Sequence, residues 1–107
     1  MNLPNKPRGT QDIFSSRALA YQRIQQIIAK ILHNNNYQPV IFPTFEAKEL
    51  FTKSLGSATD IIHKEMYIFQ DRKGRELALR PEGTASVARL VLQNNLIKEG
   101  YPLKLFY

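Results

Sequence analysis

The sequence predicts an α+β fold, a small antiparallel sheet with flanking helices, and three observations lead there. Apolar residues recur at helical spacing from Leu19 to Leu32 and again from Ala85 to Val91. Two short strand-like runs, 66–69 and 76–79, are split by a polar segment with one glycine, the pattern of a hairpin. β-branched and aromatic residues are frequent over 37–43, and apolar residues dominate 103–107.

Taken in order, the first dozen residues are polar and carry Pro4, Pro7 and Gly9, so an extended arm is expected. Ser15 or Ser16 offers an N-cap to an amphipathic helix of about five turns, with Leu19, Ala20, Ile24, Ile27, Ile28, Ile31 and Leu32 as its stripe. Asn34, Asn35 and Asn36 end it, because asparagine tolerates the left-handed conformation. Tyr37 to Pro43 reads as a strand, and Pro39 and Pro43 push it toward a sheet edge or toward pairing over only a few residues. Glu46 to Leu55 reads as a short helix with Leu50, Phe51 and Leu55 inward and Gly56 as its stop. Ser57 to His63 reads as a loop. After the hairpin, Pro81 ends the second strand. From Thr84 a helix follows, with Val87, Leu90, Val91 and Asn94 on one face, and Asn94 and Asn95 fray its end. Gly100-Tyr101-Pro102 makes a turn into a last strand, Leu103 to Tyr107.

That apolar strand has no polar tail, and few partners remain earlier in the chain. The expectation is an orphaned strand and a chain cut before its domain is complete. The 107 residues suffice for one small domain and not for two. The chain has no cysteine, which excludes disulfides and cysteine-ligated zinc. The start of the chain has no apolar signal region, and no apolar stretch is long enough to span a membrane, so a cytoplasmic protein is expected. Fifteen Lys and Arg against nine Asp and Glu give a formal +6, which favours polyanionic partners without concentrating in one basic run.

The stretch Leu79-Arg80-Pro81-Glu82-Gly83-Thr84-Ala85 carries the most chemistry. Here a strand ends, a proline fixes the exit, and a carboxylate precedes a glycine at a helix start. Glu82 can receive an ammonium group through charge-assisted hydrogen bonds, Gly83 permits a close approach, and Thr84 adds a hydroxyl. The structural alternative makes Thr84 a helix N-cap and Glu82 a favourable charge near the helix dipole, and pattern alone favours it. Arg80 can face an anion or pair with a carboxylate in the sheet, and pattern alone favours the pair. Arg8-Gly9-Thr10 can contact phosphate, although such an arm is more often a solvated terminus. His33 and His63 are isolated, and no metal site is expected.

Several segments together resemble the histidyl-tRNA synthetases. Lys6-Pro7-Arg8-Gly9-Thr10-Gln11-Asp12 is similar to that family's N-terminal signature. The first helix with Tyr37 to Pro43 and Glu46 resembles class II motif 1, with Pro43 as its proline. Thr59-Asp60 and Lys64-Glu65-Met66-Tyr67 resemble the approach to the family's hairpin. Leu79 to Ala85 is the closest match, and Leu103 to Tyr107 resembles the first strand of motif 2. The order is right over nearly the whole chain from Lys6.

The resemblance implies that residues 1–107 form the N-terminal part of a class II aminoacyl-tRNA synthetase catalytic domain. It implies a homodimer that activates histidine with ATP and Mg2+ and transfers it to its cognate tRNA. Carried over by position, Glu82 holds the α-amino group of histidine, Thr84 assists, Gly83 allows close approach, and Pro43 belongs to the dimer interface. Arg80 and Arg8 are possible accessory residues. The catalytic arginine of motif 2 lies beyond Tyr107, so no catalytic residue is expected within the chain, and the chain alone is expected to be inactive. Two other readings are a regulatory subunit of ATP phosphoribosyltransferase, which is similar to this family, and a non-catalytic interaction module. A third is another class II synthetase.

Overall fold

The computed structural model describes residues 1–54, 65–98 and 102–107. The loop expected over 57–63, the helix stop at Gly56 and the turn at Gly100 and Tyr101 lie outside these residues. The chain divides into two compact units, Met1–Tyr37 and Gln38–Tyr107.

The first unit is the arm and one helix. In the arm, Pro7, Arg8, Gly9 and Thr10 form a tight turn. Thr10 N–H donates to the Pro7 carbonyl at 3.2 Å, and Gly9 takes φ 82°, which a side chain resists. Helix α1 spans Ser15–Asn34. Its cap position is Phe14, with no side-chain cap, so neither serine caps it. Ser15 is already helical in position and carries φ 53°. The apolar stripe forms as expected, but Leu19, Ile24, Ile27, Ile28 and Ile31 are each at least half exposed. The asparagines close the C-terminus in a Schellman motif. Asn36 takes φ 63°, Tyr37 N–H reaches the Leu32 carbonyl at 2.9 Å, and Asn36 N–H reaches that of His33 at 3.1 Å.

The second unit holds the sheets. Strand β1 (Gln38–Pro39) pairs in parallel with β5 (Leu105–Phe106), and Val40 N–H extends the ladder to the Phe106 carbonyl. The last strand is therefore not orphaned, and this sheet is not antiparallel. Its shortness follows from Pro39, which cannot donate to a ladder. Strands β2 (Phe45–Ala47), β4 (Glu76–Leu79) and β3 (Ile68–Gln70) form an antiparallel sheet in that order. Glu46 thus lies on a strand opposite Ala78, and helix α2 begins only at Lys48 and runs to Ser54. The hairpin of β3 and β4 forms as expected. Asp71 organises its turn, accepting from the N–H groups of Lys73 and Arg75 at 2.9 Å, with Gly74 at φ 79°. The backbone hydrogen bond from Arg75, then its side chain, hold the Asp71 carboxyl below the usual carboxylate range.

Helix α3 (Thr84–Gln93) covers one face of the antiparallel sheet together with α2. The core is small. Phe51, Met66, Ala78 and Ala85 form it, with Leu50 packed against them. Ala85 and Ser86 are the buried residues of α3, so the helix turns its small side chains inward rather than its valines. Its end is closed like that of α1. Asn95 takes φ 51°, and the N–H groups of Leu96 and Asn95 reach the Val91 and Leu92 carbonyls. The two asparagines cap the helix rather than fray it. By strand alternation the opposite sheet face carries Phe45, Ala47, Phe69, Leu77 and Leu79, with Phe45 and Phe69 in edge contact at 5.7 Å.

Candidate functional site

The junction between β4 and α3 places the residues singled out in the sequence. Past the end of β4, Arg80 N–H still pairs with the Thr44 carbonyl at 3.0 Å, so the chain stays beside β2 for one more residue. Pro81 then turns it away. The Glu82 carboxylate folds back over the start of α3 and accepts from the N–H groups of Thr84 and Ala85, the latter at 3.1 Å. These donors have no partner inside the helix, and a carboxylate there also meets the positive end of the helix dipole. The cap position of α3 is Gly83, and the Glu82 side chain, from one residue earlier, supplies the acceptors. Thr84 is the first helical residue, exposed, and does not serve as N-cap.

Gly83 is buried at an ordinary φ of −103°, so its role is spatial. A Cβ added there would stand 2.5 Å from Cζ and 2.7 Å from the hydroxyl oxygen of Tyr107. The group that approaches Gly83 closely is thus a ring of this chain. Tyr107 in turn meets the edge of Phe42 at 5.1 Å, and the Arg80 guanidinium lies 4.5 Å above the Phe42 ring. Arg80 also reaches the Phe42 carbonyl at 3.4 Å. Among the described residues it has no carboxylate partner, so the expected ion pair is replaced by an aromatic stack. Pro43 is exposed in the extended link between β1 and β2, next to Phe42. It lies between the two strands. Arg8 is exposed at the arm turn of the first unit.

A cleft of about 570 Å³ opens beside Glu82, lined by Glu65, Met66, Tyr67, Leu79, Arg80 and Pro81. Its polar groups are two carboxylates, a phenol and a guanidinium over apolar walls. A carboxylate offers about four lone-pair sites. Glu82 engages both oxygens with the helix N–H groups of Thr84 and Ala85, which fix its orientation. Among the described residues no group of three or more His, Cys, Asp or Glu could hold a metal ion.

One pair escaped the sequence reading. Glu46, only 8% exposed, accepts from Nε and Nη2 of Arg89 at 3.2 and 2.7 Å. Arg89 shares the inward face of α3 with Ala85 and Ser86. A cation at that spacing from two small residues was the available signal.

Comparison with known proteins identifies the fold. The apo histidyl-tRNA synthetase of S. aureus has the same fold, with a TM-score of 0.79 at 32% identity, over 96% of this chain and 24% of that one. A protein described as ATP phosphoribosyltransferase regulatory subunit/histidyl-tRNA synthetase, from Bacillus halodurans, gives 0.77 at 28% identity over 98% and 27%. The fold is that of part of a class II aminoacyl-tRNA synthetase catalytic domain. The family profile for histidyl-tRNA synthetase matches residues 9–107. The histidine–tRNA ligase of Mycoplasma mycoides subsp. mycoides is 50% identical over 103 residues, which is 95% of this chain and 25% of that protein. That of Thermodesulfovibrio yellowstonii is 51% identical over 100 residues, 94% and 24%. The chain belongs to the histidyl-tRNA synthetase family, and it spans about a quarter of the length of the curated relatives it matches.

Proposed function

We propose that this chain supplies the amino-acid-recognising segment of a histidine–tRNA ligase, with residues 1–107 as the N-terminal part of its class II catalytic domain. The observation that carries this reading is Glu82, whose carboxylate is pinned by two helix N–H groups at the rim of a cleft. A pinned carboxylate receives an ammonium group without first ordering itself, which lowers the cost of binding. Glu82 thus holds the α-ammonium of histidine, and Thr84, exposed beside it, adds its hydroxyl. Gly83 keeps the rim thin. Arg80, held over Phe42, stiffens the approach, and Arg8 is an accessory group of the arm. Pro43 belongs to the surface on which two copies meet as a homodimer. The ligase activates histidine with ATP and then transfers it to its cognate tRNA, in the cytoplasm. Mg2+ accompanies ATP. The described residues offer no cluster fit to hold that ion, so no residue here is assigned to it and no step is drawn through it.

The test is histidine-dependent ATP–pyrophosphate exchange by the ligase that contains this chain. Glu82→Gln keeps the shape and one acceptor but removes the charge. A charge-assisted bond contributes about 1.5–3 kcal/mol, so the KM for histidine should rise about 10- to 100-fold while the KM for ATP holds. An unchanged histidine KM removes Glu82 from the site. A second reading, a regulatory subunit of ATP phosphoribosyltransferase, draws on the likeness to the Bacillus halodurans protein. Absence of exchange activity would favour it.

A further inference from the structure

Arg89 and Glu46 have no part in the function proposed above, yet theirs is the most buried ion pair among the described residues, with side chains 23% and 8% exposed. Taking two charges out of water is costly, and an apolar pair of equal volume usually gives as much stability. Such a pair does strongly disfavour any arrangement that separates its charges. Its value is therefore in specifying position.

We propose that Arg89 and Glu46 are positioning residues for histidine recognition: their ion pair fixes where α3 lies along its axis, and so where Glu82 presents its carboxylate. The inference rests on the reading of Glu82 as the histidine ammonium site. The buried residues of α3 are Ala85 and Ser86. Small side chains allow close packing on the sheet, but they interlock little and do not oppose sliding. Among the described residues the buried Ser86 hydroxyl has no hydrogen-bond partner, so it adds no polar anchor. Arg89 does. Two of its nitrogens converge on one oxygen of Glu46, and its Nη1 is braced by the Gln93 side chain at 3.0 Å one turn on. Glu46 stands opposite Ala78 in the β2–β4 ladder, and β4 runs directly into the segment that carries Glu82. Glu82 is bonded to the first N–H groups of α3. Ladder, chain, cap and ion pair form one closed circuit, and among the described residues the ion pair is the side-chain polar link between the body of α3 and the sheet. Because Glu46 lies three residues after Pro43, the circuit also joins the proposed dimer surface to the histidine site.

The experiment uses the ligase that contains this chain, with Arg89→Met, the double variant Glu46→Met/Arg89→Met, and Glu82→Gln. Thermal melting and the KM values for histidine and ATP are read for each. Arg89→Met should melt lower, since it strands a buried carboxylate. The double variant should melt near wild type, because an apolar pair replaces the ionic one. Both should raise the KM for histidine, by about tenfold or more, and leave that for ATP unchanged, as expected when a binding group is misplaced by a fraction of an ångström. A double variant with wild-type KM for histidine would reduce the pair to packing and overturn the proposal. An equal rise in the KM for ATP would do the same. If Glu82→Gln leaves the histidine KM unchanged, the underlying reading fails and the positioning role goes with it. If Glu82→Gln raises it and the double variant does not, only the positioning role is lost.

Discussion

Gly83 and Tyr107 illustrate how one residue's shape is fixed by another's. The glycine was legible in the sequence as a point of close approach, but not what approaches it, because Tyr107 lies 24 positions away and nothing local links them (107 − 83). The ring is 69% exposed, so it can yield, though only by leaving Phe42. Gly83→Ala should therefore destabilise the chain by about 1 kcal/mol, the size of an aromatic edge contact. In a Tyr107→Ala background the same substitution should cost almost nothing. A double-mutant cycle in denaturant measures the difference, and strictly additive effects would show that the ring does not constrain Gly83. Arg80 shows the same limit of sequence. A strand-end arginine reads as the partner of an anion or, more readily, of a carboxylate in the sheet, and only the fold brings Phe42 beneath it.

The two longer helices end in the same way, and both endings follow from adjacent asparagines. Asn35 and Asn94 each turn a side-chain N–H back to the carbonyl four residues earlier, at 2.8 Å. Asn36 and Asn95 each take the left-handed conformation. Asn95→Gly should raise stability by a few tenths to about 1 kcal/mol, whereas Asn95→Ala should lower it by about 1 kcal/mol. Chemical denaturation checks both, and equal effects of the two would exclude a left-handed cap. Helix existence, the hairpin and these stops were legible because each is a local property. The inward face of α3 was not. Its valines and leucine outline one stripe, yet Ala85, Ser86 and Arg89 point inward, because close packing on Ala78 selects small residues over apolar ones. Glu46 was read as helical for a similar reason, since pairing with β4 overrides the local preference of its neighbours.

At the scale of the whole molecule, periodicity tells which residues seek burial and not what buries them. The stripe of α1 and the aromatic face of the sheet are both legible as patterns, and both remain largely exposed. The parallel pairing of β1 with β5 was missed altogether, because two short apolar runs far apart in sequence carry no sign of direction or partner. That pairing has a kinetic consequence. It joins the first and last strands of the second unit, so a long loop must close before either strand gains a neighbour, and the entropy of closure must be met in advance. The hairpin of β3 and β4, by contrast, can form early. Truncating Phe106 to alanine should then leave the refolding rate nearly unchanged and speed unfolding about tenfold, the pattern of a contact made after the barrier. Stopped-flow kinetics over a range of denaturant gives both limbs, and slowed refolding would place the pairing before the barrier instead. The same strand also presents Tyr107 to Gly83, so on that order of events the contact between this ring and the start of α3 is expected to form after the hairpin, at the end of folding rather than at its beginning.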